Sequence, residues 1–239
     1  MQFVIAFVVL IGSYFLGAIP FGLIYVHLKT GQDVRHVESG RTGGTNAMRA
    51  AGFWAGAATA VSDFLKAACA AWLARWLLPD AYWIHVLAPV AAVIGHNYSI
   101  FLAEWGEKGR LRLRGGAGGA PAAGGAFGLW SPTLLIILPI TMFMLFVVGY
   151  ASLTTLSVGL MTILIFAYRA WIGASPWEYV MYGALVEILL IWALRPNIKR
   201  LFSGTERRVG LFAKKQTPPG QNNPEKDYSS SSSPSSKES

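Results

Sequence analysis

The sequence predicts an all-α integral membrane protein with seven transmembrane helices, its N-terminus outside and its C-terminus cytoplasmic. Three observations predict it. Hydrophobic residues make up 54% of the 239 residues and charged residues only 13%, and the mean hydropathy is +0.44, a balance typical of helical membrane proteins. The apolar residues fall in segments near the ~20 residues that a bilayer-spanning helix needs. The 20 Lys and Arg are clustered: all except Lys66, Arg75 and Arg169 fall within 29–49, 108–114 and 195–237. Such basic stretches face the cytoplasm. They alternate with membrane spans, which argues against a nucleic-acid surface.

The apolar segments are 3–28, 50–78, 82–103, 116–130, 132–149, 151–170 and 177–195. The first contains no Asp, Glu, Lys or Arg, and Met1-Gln2 before it carries no basic side chain. It therefore reads as a retained span and not as a cleaved signal. Parity resolves the region 116–170. With the 104–115 loop and the C-terminus both cytoplasmic, it must hold an odd number of spans. Three short ones fit, broken near Ser131-Pro132 and Gly149-Tyr150. Trp72, Trp76, Trp83, Trp130, Trp171 and Trp177 lie near the expected outer ends, as an interfacial aromatic belt requires. Residues 1–215 form the expected membrane domain. Residues 216–239, rich in Pro and Ser, have no apolar face to bury and read as a disordered cytoplasmic tail. The single cysteine, Cys69, excludes a disulfide framework and reads as a packing residue.

Ionisable residues inside apolar runs are costly and need partners or a site. Asp63 and Lys66 are three apart on one helix face. They suit an internal ion pair, or a pair that orients a site. Glu187 in the last span reads as turned toward a polar interior, and Arg75 as snorkelling. His96 follows Gly95 at the end of an apolar stretch. Alone, it suits a satisfied structural histidine as well as a functional one. With no HxxxH or HxxE pattern, no metal site is expected.

Three cytoplasmic stretches carry the chemistry. They are SGRTGGTNAMR at 39–49, Gly95-His96 followed by GEKGRLRLRGGAGG at 106–119, and RPNIKRLFSGTE at 195–206. Each joins glycines to hydroxyl, amide or guanidinium donors. Glycine lets backbone N–H groups approach an anion, and arginine offers a planar fork for phosphate. Thr45, Asn46 or the Gly43-Gly44 pair is positioned to cap a helix beginning near Ala47, whose N-terminus favours an anion. Any one of these stretches suits a plain polar loop. Together, on one face, they predict a phosphate-binding surface at the membrane border. No Walker-type GxxxxGK[ST] and no GxSxG elbow occurs.

These stretches resemble the bacterial acyl-phosphate:glycerol-3-phosphate acyltransferases, the PlsY family. SGRTGGTNAMR resembles the family's SGNxGATNxxR, and VSDFLKAA at 61–68 its FDxxKG. GHNYSIFL at 95–102 resembles its GHxxPVFL, YASL at 150–153 its YxSL, and RPNIKRLFSGTE its NIxRLxxGxE. The likeness runs over about residues 5–212. It implies a seven-helix fold with a cytoplasmic catalytic face, working as a monomer without metal or cofactor. It implies transfer of a fatty acyl group from acyl-phosphate to the 1-hydroxyl of sn-glycerol 3-phosphate, giving lysophosphatidic acid and phosphate. By matched position, Ser39, Arg49 and Asn197 hold glycerol phosphate, with Ser152 beside them. Gly43, Thr45, Asn46 and His96 form the pocket for the donor's phosphate, and Glu206 shapes the C-terminal motif.

The departures are specific. The family's Asn in the first motif is Arg41 here, and its Ala is Gly44. The family's second motif, GGKGVAT, has two candidate counterparts. Aligned from GHNYSIFL, its lysine falls on Lys108; aligned from the following helix, GGAGGAP at 115–121 takes its place and the lysine becomes Ala117. Lys108, Arg112 and Arg114 are the candidates for that charge. Two other readings fit the residues: a related membrane transferase with another phosphorylated donor or acceptor, and an organophosphate transporter. The transporter would be expected to carry internal repeats and broken helices, and the sequence shows no repeat.

Overall fold

The computed structural model describes residues 1–106 and 109–209. Lys108 and the 216–239 tail lie outside the described residues. The first apolar segment forms two helices, α1 (Gln2–Ala18) and α2 (Phe21–Thr30). Pro20 causes the break: it has no N–H to give, and it drives Ile19 to ψ 119°, out of the helical region. The sequence reading expected no broken helix. The interruption leaves carbonyls that lipid cannot satisfy. Side chains from α4 and from the turn after α5 contribute donors: Ser99 Oγ donates to Ala18 O at 2.6 Å, and Lys66 Nζ to Ile19 O at 3.1 Å.

A short helix, α3 (Gly44–Ala51), turns through Gly52 at φ +82° into α4 (Phe53–Leu77). Then come α5 (Tyr82–Asn97), α6 (Gly119–Leu129), α7 (Thr133–Phe143, extended by a π-turn over Met144–Val148), α8 (Ala151–Trp171) and α9 (Glu178–Phe202). Every expected apolar segment is therefore helical. Among the described residues, five stretches, 2–30, 53–77, 82–102, 151–171 and 178–202, are long and apolar enough to cross a membrane. At ~1.5 Å per residue, the 11 residues of α6 fall well short of the ~30 Å hydrocarbon core. The reason is local. Residues 115–118 run as irregular backbone before the helix starts, and Ser131-Pro132 ends it.

The segment after α5 also departs from an all-α chain. Strand β1 (Ala103–Trp105) pairs antiparallel with β2 (Leu111–Leu113), placing Glu104 opposite Arg112. Glu104 accepts from Arg35 at 2.6 Å and from Arg114 at 3.1 Å, while Arg35 also holds Asp33 at 2.6 Å. The Arg35 guanidinium keeps the Asp33 carboxyl below its usual range. These pairs tie the hairpin to the segment after α2.

Close helix approach depends on small residues. At the α1–α5 crossing, a Cβ on Gly17 would sit 2.1 Å from the Ala92 carbonyl oxygen. Gly17→Ala is expected to lower stability by about 1–3 kcal/mol, the usual range for overpacking. Thermal unfolding in detergent micelles checks it, and an unchanged melting temperature would refute the close packing. The main core lies among α5, α6, α8 and α9, around Tyr182, Phe166, Val186, Leu190 and Val93. Tyr182 Oη donates to Ala122 O at 2.8 Å, which satisfies its polar end. Large apolar side chains on the outer faces of the helices are exposed, as a lipid-facing surface requires, and Cys69 is among the exposed residues of α4 instead of packing inside. Of the tryptophans expected at the outer ends, Trp72, Trp76, Trp83, Trp171 and Trp177 are exposed, while Trp130 carries the Arg169 guanidinium 3.8 Å from its ring centre. Arg75 reaches back to donate to Gly128 O at 2.8 Å.

Candidate active site

A cavity of about 920 Å³ opens among α3, α4, α6, α7, α8 and α9. Its polar lining includes Ser39, Arg49, His96, Ser152, Asn197 and Glu206, together with Gly43, Thr45 and Asn46. Its apolar lining comes from α4 (Phe53, Val61) and from α7 and its π-turn (Leu138, Met142, Leu145, Phe146). One continuous space thus meets both charged and hydrocarbon groups. The glycine-rich, basic stretches of the sequence converge here from positions far apart in the chain.

Two helices begin at the cavity. Gly43 is the N-cap of α3 and Gly118, at φ +94°, the N-cap of α6; neither helix has a side-chain cap. Gly43, Gly44, Thr45 and Gly118, Gly119, Ala120 all line the space. The first-turn N–H groups and both dipole ends therefore favour an anion there. Helix α3 starts earlier than the Ala47 expected from sequence, so Thr45 and Asn46 sit in its first turn and do not cap it.

Asn46 is a loop hub. Its Nδ2 faces the carbonyls of Val34 (3.1 Å), Val37 (3.0 Å) and Arg41 (2.8 Å). Its amide holds the 34–41 loop in shape and leaves no N–H for a ligand. Glu206 is a second hub: it accepts from Ser152 Oγ at 2.6 Å and from Asn197 Nδ2 at 3.2 Å. It ties α8 to the end of α9. Arg49 and Ser39 make no hydrogen bond or ion pair among the described residues, so both face the cavity with their donors unused.

His96 belongs to a buried triad. Asp63 Oδ1 lies 2.9 Å from Lys66 Nζ and 3.3 Å from His96 Nδ1, and Lys66 Nζ lies 3.0 Å from His96 Nδ1. The side chains of Asp63 and Lys66 are each only 2% exposed. The ammonium's three protons meet three acceptors: Asp63 Oδ1, Ile19 O and His96 Nδ1. That assignment leaves the ring proton of neutral His96 on Nε2. Nε2 packs on Gly116, where a Cβ would sit 1.9 Å away. The ion pair therefore does more than anchor α4: it fixes a histidine on the cavity wall.

Arg112 and Arg114 are not in the lining. The hairpin register sets Arg112 opposite Glu104 on an exposed strand, and Arg114 turns to the Glu104 carboxylate. Lys108 lies outside the described residues. Ala117 does line the cavity. Sequence reasoning missed Arg41, Thr155, Arg200 and Arg207, which line it as well. The arginines were visible as members of the basic stretches, but nothing in the one-dimensional pattern separated them from solvated charges.

Uncapped helix ends and arginines beside an apolar wall, within a helical bundle of apolar spans, define an integral-membrane protein with a cavity suited to an anion and a hydrocarbon group. A glycerol-3-phosphate acyltransferase family model matches residues 7–204, and the chain belongs to that family. Relatives named glycerol-3-phosphate acyltransferase include one from Nitrobacter winogradskyi, 34% identical over 201 residues (84% of this chain, 94% of the relative). Another, from Rubrobacter xylanophilus, is 36% identical over 203 residues (84% and 94%). Among solved structures, PlsY, an integral membrane glycerol 3-phosphate acyltransferase, in its glycerol 3-phosphate form superposes with a TM-score of 0.74 at 30% identity, covering 86% of this chain and 96% of that one. Its lysophosphatidic acid form gives 0.70 at 28% identity, covering 86% and 95%.

Proposed function

We propose that this chain transfers a fatty acyl group from acyl-phosphate to the 1-hydroxyl of sn-glycerol 3-phosphate, releasing lysophosphatidic acid and inorganic phosphate. The observation that carries the reading is the cavity that joins uncapped helix ends and arginines to an apolar wall of α4 and α7. Both substrates carry phosphate and one carries a hydrocarbon chain, and such a space suits both. The family membership supports the same assignment.

Acyl-phosphate is already an activated mixed anhydride, so the protein supplies position and charge stabilisation. The glycerol hydroxyl oxygen attacks the acyl carbonyl carbon. The bond from that carbon to the phosphate oxygen breaks, and a substrate phosphate oxygen takes the hydroxyl proton. Ser39, Arg49 and Asn197 hold the acceptor's phosphate, with Ser152 and Glu206 fixing Asn197. His96 Nε2–H and the first turns of α3 and α6, at Gly43, Thr45 and Gly118, hold the donor's phosphate. No side-chain base is required.

The seven apolar helical segments form the membrane domain, with the N-terminus outside and the cavity facing the cytoplasm. The clustering of basic residues in the cavity-forming stretches supports that orientation. Every named group comes from one chain, so a monomer suffices. The test is an assay of the purified protein with labelled glycerol 3-phosphate, offering acyl-phosphate, acyl-CoA and acyl-carrier-protein in turn. Product is expected from acyl-phosphate alone. Product from a carrier donor, with none from acyl-phosphate, would refute the donor assignment.

A further inference from the structure

Arg41 is the residue of the first glycine-rich stretch for which the resemblance offers no role. It lines the cavity, and its guanidinium donates to Gly116 O at 3.2 Å and to Ala193 O. Both partners are neutral carbonyls. Three nearby arginines are paired with carboxylates: Arg35 with Asp33 and Glu104, Arg114 with Glu104, and Arg207 with Glu38; among the described residues Arg41, like Arg49, is not. No carboxylate lies within ion-pair distance of Arg41 among the described residues, and a nearby charge, Arg200, repels it. Burial, and then Arg200, lower its pKa below the ordinary arginine value, yet a guanidinium stays charged near neutral pH. A desolvated cation held only by carbonyls is an expensive arrangement. An arriving anion relieves it.

Position says which anion. Gly116, whose carbonyl Arg41 holds, packs directly on the His96 ring, and its N–H donates to His96 O at 3.0 Å. The guanidinium therefore lies one peptide from His96 and beside the approach to α6. That wall, residues 115–120, is built only of glycine and alanine. It offers backbone N–H groups and a helix dipole but no side-chain charge. Arg41 reaches across to this wall from the 39–43 stretch, through its bond to Gly116 O.

We infer that Arg41 is the cation that neutralises the phosphate of the acyl donor in this chain, standing in from the opposite loop for a charge that the 115–120 wall lacks. The inference rests on the acyl-phosphate reading above. A guanidinium has five N–H donors, and two of them are engaged by Gly116 and Ala193. The others remain for phosphate oxygens in fork geometry.

The experiment compares four forms of the purified full chain: wild type, Arg41→Gln, Arg41→Lys, and Arg41→Gln combined with Ala117→Lys. Gln keeps hydrogen-bond donors for the two carbonyls and removes the charge. KM and kcat are measured separately for acyl-phosphate and for glycerol 3-phosphate, with inorganic phosphate as a competitor of the donor. Arg41→Gln is expected to raise the KM for acyl-phosphate and the inhibition constant of phosphate by roughly 10–100-fold, the worth of a charge-assisted hydrogen bond. The KM for glycerol 3-phosphate should stay within about threefold. Arg41→Lys, which keeps the charge, should lie closer to wild type. Restoring a cation on the bare wall with Ala117→Lys should recover most of the donor affinity. An unchanged donor KM in Arg41→Gln overturns the inference. So does an equal loss for both substrates that Ala117→Lys does not repair, since that marks a loop clamp only. An Arg41→Lys form as impaired toward the donor as Arg41→Gln also overturns it. A wild-type protein that makes no product from acyl-phosphate overturns the donor reading and this inference with it; wild-type turnover keeps the two failures apart.

Discussion

Gly116→Ala is expected to lower kcat by about 10²-fold or more while the helical bundle stays folded. The new Cβ would sit 1.9 Å from His96 Nε2 and 2.5 Å from Cε1. Real carbon atoms do not approach that closely, so one side must move. The ring cannot move freely, because its far side is held at Nδ1 by the buried Asp63–Lys66 pair. If the ring stays, the 115–118 loop must retreat and take the N-terminus of α6 with it. In the proposed binding mode, either movement pulls a hydrogen-bond donor away from the acyl donor's phosphate, and a displacement of ~1 Å in a reacting site costs on the order of 10²-fold. Gly12→Ala is the control. Its Cβ would meet nothing within 4 Å, and it sits on α1, away from the cavity lining. It should leave turnover unchanged. The measurement is kcat with acyl-phosphate, alongside the melting temperature of each purified variant. Wild-type turnover in Gly116→Ala would show that the tight packing of the loop on His96 has no bearing on catalysis.

The convergence of three distant stretches was legible because each kept its glycines and donors together in a short run. Residues 39–49, 95–119 and 195–206 each suggest an anion-binding segment, and residues from all three line the cavity. What was not legible depended on distances across the fold. Asp63 and Lys66 declare themselves as a pair by their spacing, but His96 lies 30 positions beyond Lys66, and nothing local ties it to them. Asn46 looked like a ligand group, since the sequence does not reveal that three backbone carbonyls of its own loop surround it. The break at Pro20 was visible as a proline in an apolar run, yet the run was read as one helix. RLRLR at 110–114 carries the alternation of a strand. Read for charge alone, it suggested phosphate ligands, and the pairing of β1 with β2 instead turns those side chains away from the cavity. The length of α6 was likewise set by tertiary need, because the backbone before it is drawn into the cavity wall.

Lys66→Met is expected both to destabilise the protein and to slow it, and the two effects can be separated. Removing the ammonium leaves Asp63 buried without its ion-pair partner, a change that costs about 3–5 kcal/mol in comparable buried pairs. It also removes the ammonium from Ile19 O at the Pro20 break, leaving that carbonyl only the Phe21 N–H at 3.1 Å. Stability should therefore fall sharply, measured as a loss of melting temperature in detergent. The double variant Asp63→Asn with Lys66→Met removes the buried charge together with its partner and should recover much of that stability. It should not recover turnover. Without the ammonium, His96 Nδ1 loses the donor that keeps its proton on Nε2. In the double variant the new carboxamide can turn either its N–H or its carbonyl toward Nδ1, and either tautomer is then permitted. The donor that faces the cavity becomes intermittent, and loss of one such oriented donor typically costs about 10²–10³-fold in kcat. A structural pair alone predicts that stability and kcat return together in the double variant. A positioned histidine predicts that stability returns and kcat does not. Recovery of both would reduce Asp63 and Lys66 to a helix anchor and leave His96 correctly oriented by the Gly116 wall on its own.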